Sequence, residues 1–246
     1  MTDLYVSLAV LGAAVTLSEA LRRTAARLFP GAYWIYLLEA ASTFQLCCCT
    51  HELKLLGETA RLELLVGLTL TYTMTVIHLL TFRGATCNPS GALESVCRGS
   101  STVRAAVVLI ACQHQRFGFR CFDPLGGTVL EAAAVELACA FTVQAAAMHV
   151  HKVDEKLRAH LIAAVITALV YTGGSISGAV FNPVLAFSVQ FPCSGHTYLE
   201  YCFVYWLGPV LGVASCILLF EKIIPFLSGK STIRLDVPTA QKPKTQ

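Results

Sequence analysis

Two Asn-Pro pairs and two glutamates are the residues of this chain whose types and spacing suggest chemistry, and that chemistry is hydrogen bonding rather than bond breaking. Asn88-Pro89-Ser90 and Asn182-Pro183-Val184 close a phrase that occurs twice, Gly84 to Pro89 and Gly178 to Pro183, with a constant offset of 94 residues (84 to 178, 88 to 182). Asn is a leading N-cap residue, and Pro is favoured at the first helical position, where its missing N–H costs nothing, so each phrase reads as the start of a helix. About eight residues after each Pro the helix must stop, at Arg98 in one copy and at Phe191-Pro192 in the other. A helix of that length is ~12 Å long, less than half of the ~30 Å hydrocarbon core of a bilayer.

The duplication continues upstream. Glu39 and Phe44 are matched by Glu136 and Phe141 at an offset of 97 (39 to 136, 44 to 141). A carboxylate inside an apolar helix needs donors, and irregular backbone at membrane depth carries N–H groups that need acceptors. Satisfying one with the other predicts that Glu39 and Glu136 brace the loops before the short helices. The alternative is a Glu that merely snorkels from a helix end.

The elements that must position these residues follow from composition. Of 246 residues, 55% are hydrophobic and 13% charged, with mean hydropathy +0.64, whereas about a quarter of an average soluble domain is charged. The chain reads as an all-α membrane protein whose first expected partner is the lipid bilayer. The net charge of +3 is scattered, so nucleic acid is not an expected partner. Apolar segments run over Leu4 to Leu21, Tyr33 to Thr50, Leu64 to Phe82, Val103 to Cys112 and onward, Val129 to Val150, Leu161 to Tyr171 and onward, and Cys202 to Ile224. Counting the polar-interrupted segment from Val103 as a span places three crossings between the Asn-Pro phrases. An odd number of crossings inverts the two copies and sets equivalent elements face to face near the midplane.

The expected organisation is a segment 1–30 with an apolar stretch and basic linker, a first repeat over 31–112, an extracytosolic connection over 113–127, a second repeat over 128–228 and a tail over 229–246. Two short helices entering from opposite faces would meet N-terminus to N-terminus, each contributing about half a positive charge. That repels cations and protons while leaving the Asn amides to donate to an uncharged solute.

Six spans with two Asn-Pro half-helices in this order resemble the aquaporin family, from about Tyr33 to Ser228. Within it the chain is similar to the unorthodox intracellular branch, on the phrases from Thr43 to Leu53, Tyr171 to Ala186 and Val204 to Gly212. The resemblance implies an inverted repeat of six transmembrane helices plus two re-entrant half-helices, with an extra N-terminal helix in question. It further implies passive transport of water and small neutral solutes across an intracellular membrane, and a homotetramer. Pores of this kind select by diameter, lining donors and half-helix dipoles.

The departures from the family pattern are specific. The usual Asn-Pro-Ala is Asn-Pro-Ser at Ser90 and Asn-Pro-Val at Val184, but both capping pairs remain. Counting without gaps from the Asn residues, the family's narrow filter falls on Leu68, Val170, Ala179 and Leu185, all aliphatic, where water-selective members resemble one another in an aromatic, a His and an Arg. Such a ring carries no fixed donor and no cation, so the expected pore is less specific for water, with glycerol and hydrogen peroxide as candidates. A hydrophobic constriction can also dewet, which leaves slow or gated water flow equally open.

In the family orientation, 14 of the 18 Lys and Arg residues fall on the cytosolic side and four, Lys54, Arg61, Arg116 and Arg120, fall opposite. This agrees with the positive-inside rule. The segment Leu4 to Leu21 is preceded by Asp3 and followed by Arg22 and Arg23, the reverse of signal-peptide charge order, and reads as an additional span or as a helix lying on the membrane. Lys242 and Lys244 stand fifth and third counting back from Gln246 and resemble a dilysine retrieval signal of the endoplasmic reticulum.

Eleven cysteines raise a metal or redox role. Cys47, Cys48 and Cys49 point about 100° apart on a helix, and Cys47 with His51 supplies two ligands, short of a tetrahedral site, so neither metal nor cofactor is expected. Cys121 and Cys193 fall in loops on the oxidising side, their connectivity open. Cys87, next to a pore Asn, is the thiol to watch for mercurial or oxidative block. His78, His149, His151 and His160 read as packing residues, with pH gating left open. Gly208 and Gly212 form a small-xxx-small pair, and Gly173, Gly174 and Gly178 suit close approach of helices. An enzyme would need converging nucleophile and base groups that the apolar segments lack. A pore-less scaffold or folding factor in the same fold is the stronger alternative, because fold does not determine function.

Overall fold

A computed structural model describes residues 2–29, 31–60, 62–113, 125–191 and 193–228. Its long helices are α1 (Thr2–Leu28), α2 (Ala32–Ala60), α3 (Leu64–Thr81), α5 (Val103–Gln113), α6 (Val129–His149), α7 (Glu155–Ser177) and a last helix, Tyr198–Leu227. Between them lie two short helices, α4 (Pro89–Cys97) and α8 (Pro183–Val189). Among the described residues, five helices are long and apolar enough to cross a membrane: α1 from Leu4, α3, α6, α7 and the last. At 29 residues, or about 43 Å, α2 also has the length, but it carries Glu39, Glu52, Lys54 and Glu58. The described part of α5 has 11 residues.

Helix starts follow local chemistry. Thr128 with Glu131, and Thr197 with Glu200, form capping boxes that open α6 and the last helix. Asp154 caps α7 by accepting from the Lys156 N–H. The last helix contains two wide turns, Phe203–Leu207 and Leu219–Ile223, of the kind found where a helix must re-aim its side chains.

The N-terminal segment is longer than its apolar run suggests, continuing as helix through Arg22 and Arg23 to Leu28. Within that extension Arg22 is fully buried. Its guanidinium donates to Gln45 Oε1 (2.8 Å) and Ser42 Oγ (3.4 Å) on α2 and pairs with Glu19 (3.1 Å). Gln45 in turn donates to Thr81 Oγ1 on α3 (3.0 Å), and Glu19 also pairs with Arg83, just before the first Gly84 phrase. At the other end Ser7 donates to Glu52 (2.5 Å). With Leu11, Ala14, Cys49 and Met74 packed between these links, α1 lies antiparallel along α2 and against α3. The segment read as Tyr33 to Thr50 likewise extends to Ala60, its polar last third remaining helical.

The second half packs more tightly. A Cβ on Gly212 would stand 2.3 Å from the Leu137 carbonyl oxygen, and one on Gly208 would stand 3.0 Å from that of Ala133, so the last helix lies backbone to backbone on α6. Gly212→Ala is therefore expected to lower stability by about 1–3 kcal/mol, as overpacked contacts do, while Gly67→Ala, facing open space inside α3, is expected to leave the melting temperature of the detergent-purified protein no lower and to raise it slightly through helix propensity. A thermal melt of both variants checks this.

Candidate pore

The site begins with two loops that leave helical geometry between the long apolar helices. Gly84 (φ 90°) and Gly178 (φ 86°) turn the chain in the left-handed region, and Cys87 (φ 50°) and Phe181 (φ 38°) do so again. Both pairs are 94 residues apart (84 to 178, 87 to 181), so the duplication extends to the backbone itself. A side-chain-bearing residue in this region costs about 1–3 kcal/mol and persists only where the surroundings hold it.

What holds it is a buried carboxylate in each half. Glu39, on α2 and 2% exposed, accepts from the Thr86 N–H (3.1 Å), the Thr86 hydroxyl (2.9 Å), Gln113 Nε2 (2.6 Å) and the Cys87 N–H. Glu136, on α6 and fully buried, accepts from Ser177 Oγ (2.6 Å), the Val180 N–H (2.9 Å) and the Phe181 N–H. The paired backbone donors are again 94 residues apart (86 to 180, 87 to 181). Hydrogen bonds to a charged acceptor contribute about 1.5–3 kcal/mol each, so the two backbone bonds in each loop are of the size needed to offset that strain. Tyr205, on the first wide turn of the last helix, adds a hydroxyl bond to the Ser177 carbonyl (2.6 Å).

Held this way, each loop delivers its Asn to the head of a short helix. Asn88 and Asn182 both have extended backbone (φ −148° and −143°), and Pro follows each at the first helical position. Asn88 Oδ1 accepts from the Ser90 N–H (3.0 Å), and Asn182 Oδ1 from the Val184 (3.1 Å) and Leu185 (3.4 Å) N–H groups. Asn182 Nδ2 then donates to the Cys87 carbonyl (2.7 Å), tying the second short helix to the loop of the first. Among the described residues no protein acceptor reaches Asn88 Nδ2. At nine and seven residues, about 14 and 10 Å, α4 and α8 are too short to cross a bilayer. Outside the centre, α4 is held at its far end by Arg98, which bridges Glu94 (2.6 Å) and Glu221 (2.5 Å) on the last helix.

A cavity of about 1170 Å³ runs between α2, α3, α7, the two loops and α8. Both Asn88 and Asn182 line it, and so do Leu68, Val170, Ala179 and Leu185. The other motif residues, Pro89, Ser90, Pro183 and Val184, are buried behind its wall. The wall is not aliphatic throughout, because Lys54, His78, Gln144 and Gln190 line it as well. Sequence reasoning missed Lys54 as a cavity residue, treating it only as a charge on the extracytosolic side. The contact that draws it inward is made 135 residues away, at the Val189 carbonyl. Cys87 is buried, and among the described residues no three His, Cys, Asp or Glu side chains converge as a metal site. Cys193 is disulfide-bonded, while Cys121, Lys242 and Lys244 lie outside the described residues.

No family model matches the chain, but curated proteins do. It is 38% identical to aquaporin-11 of Homo sapiens over 221 residues, covering 80% of this chain and 82% of that protein. It is 36% identical to aquaporin-11 of Mus musculus over 78% of this chain and 79% of the relative. It is 30% identical to aquaporin-12 of Mus musculus over 92% of this chain and 89% of the relative.

The chain belongs to the aquaporin family. Its relatives at this level are aquaporin-11 and aquaporin-12, the unorthodox branch, and they carry the all-α aquaporin fold with them as a multi-pass membrane architecture. In this aquaporin, replacing Glu136 with Gln turns an NH2 group toward N–H donors. Glu136→Gln is expected to cost about 2–3 kcal/mol, with Glu39→Gln similar. Thermal melts of the purified variants, read beside their osmotic water flux, check that stability and flux fall together.

Proposed function

We propose that this protein is a channel for water and small neutral solutes, including glycerol and hydrogen peroxide, rather than an enzyme. The observation that carries the proposal is the joint lining of one cavity by Asn88 and Asn182 at the heads of α4 and α8. Two helix N-termini tied together through Asn182 and Cys87 sum their positive ends at the passage, which opposes cations without touching neutral molecules. The Asn88 amide, with its oxygen engaged by Ser90, presents its N–H groups for a passing oxygen to accept. In this reading Glu39 and Glu136 brace the loops, and Leu68, Val170, Ala179 and Leu185 form a constriction set by packing alone.

The constriction's lack of polar groups supports a pore less specific for water, and the homotetramer of the family is the assembly we propose. The membrane we propose is that of the endoplasmic reticulum, with the C-terminal tail cytosolic. The support is the pair Lys242 and Lys244 together with the excess of basic residues on that side.

Purified protein in vesicles is expected to raise water, glycerol and peroxide entry above protein-free controls, and Leu185→Arg is expected to restrict glycerol several-fold more than water. No flux of any of the three would leave the scaffold reading in place, and an unaltered glycerol-to-water ratio would remove Leu185 from the constriction. Joint substitution of Lys242→Ala and Lys244→Ala is expected to shift the steady-state location away from the endoplasmic reticulum, as seen by fluorescence microscopy of the full chain.

A further inference from the structure

Lys54 is a cation inside the candidate pore, carried by a helix that holds none of the Asn-Pro or constriction residues. Its ammonium donates to the Val189 carbonyl (3.1 Å) and to Gln190 Oε1 (2.8 Å), at the C-terminal end of α8. The Val189 carbonyl belongs to the negative end of the short helix and Gln190 Oε1 is a side-chain amide oxygen beside it, so a cation is held there by two hydrogen bonds and, at Val189, by the helix end. Gln190 is itself held against Gly178, where a Cβ would stand 2.5 Å from its amide nitrogen. Gly178 is thus needed for the turn and also for the space that seats Lys54's partner.

Lys54, Val189 and Gln190 all line the same cavity as Leu185 and Ala179. So do Glu58 and Glu63, and these two are exposed whereas Lys54 is half-buried. Glu58 lies about one helical turn beyond Lys54, ~6 Å along α2. A solute entering from that mouth meets carboxylates first, which concentrate cations, and an ammonium after them.

We propose that Lys54 is the specificity-determining cation of this pore, held from α2 on the end of α8, and that it bars protons and metal cations at a mouth whose constriction is aliphatic. The proposal rests on the channel reading above. It rests on where the charge stands, half-buried on the end of α8 while Glu58 and Glu63 are exposed to solvent, since a unit charge a few ångströms from the path shifts the energy of a passing cation by more than RT at the effective dielectric of a protein cleft.

The test uses the full chain reconstituted in vesicles, with water flux by light scattering, proton and potassium leak by entrapped dye, and ion selectivity from the reversal potential in a potassium chloride gradient. In Lys54→Gln the ratio of cation leak to water flux is expected to rise roughly tenfold. The leak should prefer cations over chloride, because Glu58 and Glu63 remain, and Lys54→Arg should keep it low. Should Lys54→Gln fail to fold, Gln190→Glu carries the same test, since it neutralises the ammonium while keeping its bond, and the same cation-selective leak is expected. A leak that is unaltered, that passes chloride equally, or that persists in Lys54→Arg would overturn the assignment while leaving the channel intact. A wild-type protein that passes no water would overturn the channel reading and this one with it.

Discussion

A chain that abandons its helical ladder inside a membrane must find acceptors for the N–H groups it frees, and here two buried carboxylates supply them. Glu39 takes those of Thr86 and Cys87, and Glu136 those of Val180 and Phe181. Each carboxylate would be prohibitively costly in hydrocarbon alone, and each loop would be equally so without its acceptor. Joined, the two liabilities cancel. The strained residues Cys87 and Phe181 then sit at the points where the loop must reverse to present an Asn.

The geometry of the centre follows from that exchange. With both loops pinned, α4 and α8 begin at the Asn residues, and Asn182 reaches across to the Cys87 carbonyl. The heads of the two short helices are thereby bonded to one another beside the cavity. The far ends are fastened by different means. For α4 the means is an ion-paired Arg98 between Glu94 and Glu221, and for α8 it is the ammonium of Lys54 on Val189 and Gln190.

The N-terminal helix adds a second polar system. Arg22 is fully buried, yet it has Gln45, Ser42 and Glu19 around it, and Glu19 extends the network to Arg83. Removing one partner from such a network costs more than removing all of them, because an uncompensated buried charge remains. The network ties α1 to α2, to α3 and to the approach of the first Asn-Pro loop. The α1 helix is thereby part of the packed structure rather than an appendage beside it.

Sequence alone determined the helical membrane class, the family and the internal duplication, because each is written in local features: apolar runs of bilayer length, an Asn-Pro pair that starts a helix, and a repeat that preserves spacing. It marked Glu39 and Glu136 by their offset but could not say which N–H groups each would take. Tertiary structure alone decided how Arg22 could be buried within α1, since Gln45 and Ser42 on α2 lie opposite it. Tertiary structure also decided that the cavity wall contains a cation. Lys54 meets Val189 and Gln190 across 135 and 136 residues of chain, and no local pattern encodes a contact that exists only once two helices are packed.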